Sequence, residues 1–171
     1  FGFGEIIANL EQREHREVFT KNVGRLLPSW QEFKDSVMPA IRGTALGSLL
    51  GVLPGGGAVL SSFASYAIEK KISKTPERFG KGAIEGVAGP ESANNAGAQT
   101  SFIPMLTLGI PTTPVMALMV AAMMIHNIQP GPQVMTSNPP LFWGLITSMW
   151  IGNLMLVVLN LPLIGLWIKL L

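Results

Sequence analysis

The sequence predicts an all-α integral membrane protein, a polytopic helical bundle with re-entrant or discontinuous helices. Three observations carry that reading. Of 171 residues, 48% are hydrophobic and 13% charged, whereas about 25% charge is usual for a soluble domain. The charges also crowd into one half. Residues 1–81 hold eleven Lys/Arg and eight Asp/Glu, while residues 82–171 hold only Glu85, Glu91 and Lys169. Finally, the apolar runs are interrupted by Gly and Pro, which number 19 and 13 and which break helices or let backbones approach closely.

Taken in order, residues 1–36 read as a polar, cytoplasmic linker with a surface helix. "EIIANLEQREHREVF" mixes both signs of charge with Ile6, Ile7, Leu10 and Val18 at helical spacing. Ser29 followed by Glu32 is a capping-box pattern, and Trp30 suits the headgroup level. Residues 37–69, "VMPAIRGTALGSLLGVLPGGGAVLSSFASYAIE", have a basic flank on each side. Arg13, Arg16, Lys21, Arg25 and Lys34 precede them, and Lys70, Lys71, Lys74, Arg78 and Lys81 follow. Lys/Arg-rich flanks stay in the cytoplasm, so the segment enters and leaves on one side. Two full spans need about 40 residues, and "LPGGG" interrupts the stretch midway. A re-entrant hairpin with Pro54–Gly57 at its tip is the preferred reading, and two short tilted helices in a larger bundle the alternative.

Residues 70–81 form a basic cytoplasmic loop. Residues 82–171 form a transmembrane region with broken helices. Its first part, "GVAGPESANNAGAQTSFIPMLTLGIP" (86–111), is rich in small and amide residues that pack and bond helices together. Pro90, Pro104 and Pro111 predict a helix from about Gly82, a break at Gly89–Pro90, a short helix through the asparagines, and a second break at Gly109–Pro111. Residues 114–128 predict a short apolar helix, 129–140 an uncharged loop, 141–161 a span, and the last ten residues the start of another helix. No short-period repeat is evident.

Helix breaks expose amides that hold anions and carbonyls that hold cations, so they are the natural places for a transport site. "PGGGAV" and "GIPTTPV" each set Gly or Pro just before a helix start. Gly55, Gly56, Gly57, Thr112 and Thr113 are therefore the candidate substrate-binding residues. Glu91, Ser92, Asn94 and Asn95 are the candidate ligands of a coupling cation, Na⁺ or H⁺. For the asparagines, packing glue is an equally good reading. Arg42 reads first as a snorkelling residue and second as a helper for an anion. Glu85 reads as an interfacial charge and His126 as a packing or interface group. The methionines at 116, 119, 123 and 124 read as lipid-facing or core filler.

Other chemistries lack support. The chain has no cysteine, so disulfides and thiolate metal sites are excluded, and no metal site or resident cofactor is expected. There is no H-E-x-x-H, P-loop or G-x-S-x-G, so the chain is not expected to be an enzyme. No basic stripe with interleaved aromatics suggests nucleic acid. The sequence begins at Phe1 and stops inside an apolar run, so it reads as a piece of a longer polypeptide.

Residues 43–135 carry a resemblance. "GVLPGGGAVLSSFASYAIEKKISKTPERFGKGAIEGVAGPESANNAGAQTSFIPMLTLGIP" and "VMALMVAAMMIHNIQPGPQVM" are similar to the signature region of the large permease subunit of bacterial tripartite tricarboxylate transporters. The resemblance implies a multi-pass inner-membrane permease. It also implies a small membrane subunit, a periplasmic substrate-binding protein, carboxylate substrates such as citrate, and uptake driven by an ion gradient. The family pattern often has Gly after the "LGIP" proline, where Thr112 stands here, and the family's N-terminal half and final helices are missing from this sequence. The resulting expectation is ion-driven uptake of tricarboxylates or related carboxylates. An ATP-driven importer permease and a non-transporting membrane scaffold are the alternatives.

Overall fold

The computed structural model describes residues 27–170, with the side chains of 168–170 excepted. The surface helix expected before residue 27 lies outside the described residues. Within them every regular element is helical and no strand occurs. Residues Leu27–Leu154 form one unit. From Met155 the chain belongs to a second unit, of which only the end of the last helix is described.

Helix α1, Trp30–Val52, starts as the sequence predicts. Ser29 is extended, its hydroxyl accepts from the Glu32 amide at 3.2 Å, and the Glu32 carboxylate accepts from the Ser29 amide at 2.6 Å. Trp30 is exposed and stacks on Phe33. Pro39 lies inside α1 without ending it. The helix stops at Leu53, whose extended backbone is what a following proline imposes. Helix α2, Gly57–Ile72, follows after a tight turn. Gly55 and Gly57 have φ of +79° and +63°, a left-handed backbone that glycine adopts without strain. Lys70 and Lys71 sit in the last turn of α2, where cations complement the helix dipole. The basic loop then folds back through a 3₁₀ turn at Pro76–Arg78. Phe79 is buried edge-on to Tyr66, with ring centroids 5.4 Å apart.

Helix α3, Glu85–Thr100, corrects the expected break at Gly89–Pro90. The proline deprives only the Gly86 carbonyl of its helical donor, and the helix runs on through it while Gly89 packs tightly on both neighbouring helices. Helix α4, Phe102–Leu108, continues from Ser101, whose backbone is still helical. The expected break at Gly109–Pro111 is present. Gly109 adopts φ +71° and closes the helix with a bond from its amide to the Met105 carbonyl at 3.1 Å. Helix α5, Pro114–Ile125, is short and apolar as expected. A single turn, α6 (Val134–Ser137), interrupts the expected uncharged loop. Helix α7, Pro139–Leu170, is continuous, so no new helix starts in the last ten residues. Pro162 is accommodated inside it. Residues Pro139–Trp167 are long and apolar enough to cross a membrane, the only such helix among the described residues.

The core of α1, α2 and α3 is made of small and polar residues. Gly43, Gly47 and Gly51 are buried on α1, and Gly89, Ala93 and Gly97 on α3, each series at a four-residue spacing. A Cβ on Gly43 would strike the Gly89 carbonyl, one on Gly47 the Ala93 backbone, and one on Gly51 Thr100 and the Gly97 backbone. The two backbones are therefore in direct contact. Helix α2 adds Ser61, Ser65 and Glu69, which are 0%, 2% and 2% exposed. Its Ser61 faces Gly97, and its Ser65 and Glu69 face Gly89. The large apolar residues point the other way, with Leu49, Val59 and Phe63 all exposed. A second, apolar cluster of Met105, Leu106, Met116, Met123 and Val134 joins α4, α5 and α6. Met116 and Met123 are thus core filler, while Met124 is exposed.

One ion pair bridges the hairpin arms far from the tip. Arg42 donates from Nε and Nη2 to both Glu69 carboxylate oxygens, at 2.8 and 2.6 Å. Arg42 is therefore paired, a partner the snorkelling reading did not include. Its side chain remains 38% exposed while that of Glu69 is 2% exposed.

Two outcomes follow for the full-length protein in detergent. Gly47→Val forces a branched side chain into the Ala93 backbone and is expected to lower stability by at least about 1–3 kcal/mol. Thermal unfolding unchanged from wild type would contradict the packing. Arg42→Ala strands a buried carboxylate and is expected to cost about 3–5 kcal/mol. Glu69→Ala leaves an arginine that can reach water and is expected to cost less. Equal losses in the same assay would contradict the burial asymmetry.

Candidate functional site

Two of the sequence breaks meet in space. The Gly55 amide at the hairpin tip donates to the Thr112 carbonyl in the Gly109–Thr113 loop, at 3.0 Å. Beside it, a Cβ on Gly57 would come within 3.0 Å of the Thr113 methyl carbon. All five candidate substrate-binding residues, Gly55, Gly56, Gly57, Thr112 and Thr113, thus lie at one junction.

Local chemistry explains the arrangement. Pro54 ends α1, and the glycines reverse the chain so that α2 starts against the loop. On the other side Gly109 ends α4, and Thr113 followed by Pro114 starts α5. Thr113 is extended, its Oγ1 accepts from the Met116 amide at 3.2 Å, and Pro114 has no amide to leave unsatisfied. The start of α2 has no side-chain cap. The amides of Gly57, Ala58 and Val59 have no acceptor one turn back, because they open the helix. Val115 is in the same position on α5. The partial positive charge of two helix starts is therefore directed to one neighbourhood, which suits an anion and disfavours a cation.

Two expectations are corrected here. The Gly55 amide is used by Thr112, and the Gly56 amide donates to the Leu53 carbonyl at 3.0 Å. Neither can serve a carboxylate in this conformation, and the first turn of α2 offers amides in their place. Thr112 is 5% exposed, and its hydroxyl oxygen is buried without a hydrogen-bond partner.

The candidate cation ligands lie elsewhere, and not at a helix break. Glu91, Ser92, Asn94 and Asn95 sit within the unbroken α3; by helical spacing Glu91 and Asn95 lie opposite the buried Gly89, Ala93 and Gly97, while Ser92 and Asn94 flank that stripe on either side. Glu91 and Asn95 are exposed and Ser92 and Asn94 half-buried. The Asn95 side-chain amide donates to the Glu91 carbonyl at 3.0 Å. Among the described residues no group of three or more acidic or histidine side chains is placed to hold a metal ion. Glu85 stands 3.9 Å from Arg78 in the basic loop, and His126 is exposed at the end of α5.

The sequence reading missed three things: the four-residue glycine ladders, the partner of Arg42, and the bond from Gly55 to Thr112. The ladders were visible as G-x-x-x-G-x-x-x-G at 43–51 and G-x-x-x-A-x-x-x-G at 89–97. Glu69 continues the α2 series Gly57, Ser61, Ser65 by one more step of four. The bond between loops has no signature in sequence.

The tripartite tricarboxylate transporter TctA family matches residues 1–171. The chain is 66% identical, over all of its 171 residues, to an uncharacterized 52.8 kDa protein in the TAR-I ttuC' 3' region of Agrobacterium vitis. It is 74% identical over 125 residues to an uncharacterized protein in the TAR-II ttuC' 3' region of the same organism. It spans 34% of the first relative's length and 52% of the second's. No solved structure matches it.

Proposed function

The chain belongs to the tripartite tricarboxylate transporter TctA family, and on that premise we propose that it is the site-bearing part of a permease for carboxylate anions. The observation that carries the site is the Gly55–Thr112 bond, which joins two helix breaks separated by more than fifty residues of chain. Helix starts gathered at one point without a lysine or arginine among the five junction residues are suited to an anion that must be released again. Amides attract a carboxylate through partial charge, with no full charge to trap it.

In this reading the α1–α2 hairpin enters the bilayer from the cytoplasmic face. The glycine ladder against α3 shields its polar interior, and its apolar residues meet lipid. The protein crosses the inner membrane several times, receives substrate from a periplasmic binding protein, and works with a small membrane subunit. Uptake is driven by a gradient of Na⁺ or H⁺, by alternating access around the broken helices. The polar residues of α3 outside its buried stripe, Glu91, Ser92, Asn94 and Asn95, are the place proposed for the coupling ion. An exposed carboxylate on a membrane helix calls for a cavity or a partner, and Glu91 and Asn95, one turn apart, share the outward face.

The test is uptake of radiolabelled citrate, malate and succinate into vesicles holding the full-length permease with both partner subunits. It is run with and without Na⁺ and proton gradients and without ATP. Gradient-driven uptake is expected in wild type. It is expected to fall at least tenfold in Gly57→Val, which drives a side chain against the Thr113 methyl, at equal membrane abundance. Uptake that requires ATP, or that is indifferent to Gly57→Val, would contradict the proposal.

A further inference from the structure

We propose that the Thr112 hydroxyl is a substrate ligand in its own right, donating its hydrogen to a carboxylate oxygen held between the starts of α2 and α5. The inference rests on the site reading above and deepens it from backbone amides to a side chain.

A hydroxyl buried without a partner loses its bonds to water and gains none, so a folded chain seldom keeps one without a use. Thr112 Oγ1 is one of two such side-chain atoms among the described residues, and the other, on Glu85, belongs to a half-exposed ion pair outside the junction. Threonine is not required here for packing alone, because valine has nearly its shape. Nor is it required as a cap, since the cap of α5 is Thr113. The residue is fixed in position twice over. Its carbonyl accepts from Gly55, and its successor Thr113 is locked by the Met116 amide on one side and abuts Gly57 on the other.

The sign of the field selects the ligand. A hydroxyl can donate to an anion or offer a lone pair to a cation. Helices α2 and α5 have 16 and 12 residues, long enough for developed dipoles, and both start at the junction. Their positive ends repel a cation and attract an anion. The first-turn amides of α2, Gly57, Ala58 and Val59, start just past the Gly55 amide that the Thr112 carbonyl holds, and in the proposal the hydroxyl joins them as a donor to one carboxylate group. Because the hydroxyl is closed off from solvent here, the hairpin tip must part from the loop for substrate to enter. The Gly55–Thr112 bond is the contact that this parting would break.

The experiment measures equilibrium binding of radiolabelled citrate, malate and succinate to the purified full-length permease, and its thermal unfolding, for wild type, Thr112→Val, Thr112→Ala and Thr112→Ser. Thr112→Val is expected to weaken binding of whichever acid the wild type binds by about tenfold or more, the loss of one hydrogen bond to a charged group. Its unfolding temperature is expected to stay level or rise, because an unpartnered hydroxyl has been removed. Thr112→Ser is expected to stay within about threefold of wild type. Thr112→Ala supplies the same comparison if the valine variant does not fold. Binding by Thr112→Val and Thr112→Ala equal to that of wild type would overturn the inference and leave the proposed function standing. So would variants that lose only Na⁺ dependence and keep carboxylate affinity at saturating Na⁺, since the hydroxyl would then be a cation ligand. A wild type that binds none of the three acids would overturn the proposed function and this inference together.

Discussion

The contact between the α1 and α3 backbones is the constraint on which the rest depends. With Gly43, Gly47 and Gly51 against Gly89, Ala93 and Gly97, no room remains for a side chain at the interface. With so little apolar surface between them, these helices are held by close backbone contact and by interhelical polar contacts. Glycine at every fourth position makes a continuous groove along one face of α1, and α3 fills it. Once these two helices are in register, α2 has one place left, with Ser61, Ser65 and Glu69 against the other side of the same α3 face.

That arrangement turns the usual distribution of side chains inside out. A buried stripe of Gly, Ser and Glu with exposed Leu, Val and Phe would be unstable as a soluble fold. It suits a chain of a membrane transporter family, where lipid solvates the outer face. The buried carboxylate of Glu69 is tolerable because Arg42 meets it with two bonds. The pair ties the open end of the hairpin, while the Gly55–Thr112 bond ties its tip to the loop before α5. The hairpin whose tip borders the candidate site is thus tied at both ends.

Much of this was legible in the sequence, for identifiable reasons. The capping box at Ser29 and Glu32, the turn at Pro54–Gly57 and the stop at Gly109 follow from local backbone chemistry, and the structure has all three. Membership of the transporter family followed from long motifs in order. The break expected at Gly89–Pro90 did not follow, because a proline removes one hydrogen bond and the packing of its neighbour Gly89 on α1 and α2 outweighs that loss. Helix α7 also runs on through Pro162, which is exposed, so a proline in an apolar run is weak punctuation even without such packing. For the candidate site, residue types pointed to five positions that the fold brings together, but not to their hydrogen bonds. The Gly55 and Gly56 amides looked available until their acceptors were known. The fourfold spacing of small residues was present in the letters, yet it reads as a helix interface only once the two ladders are paired.

The most direct test of the inside-out frame is spin labelling along α2 of the full-length protein in bilayers, one label at a time at Val59, Leu60, Ser61, Phe63 and Ser65. The account predicts that labels at Val59, Leu60 and Phe63 collide freely with oxygen dissolved in lipid and little with a water-soluble nickel complex. Labels at Ser61 and Ser65 should be immobile and shielded from both. Shielded labels at Val59 and Phe63, with accessible ones at Ser61 and Ser65, would contradict it.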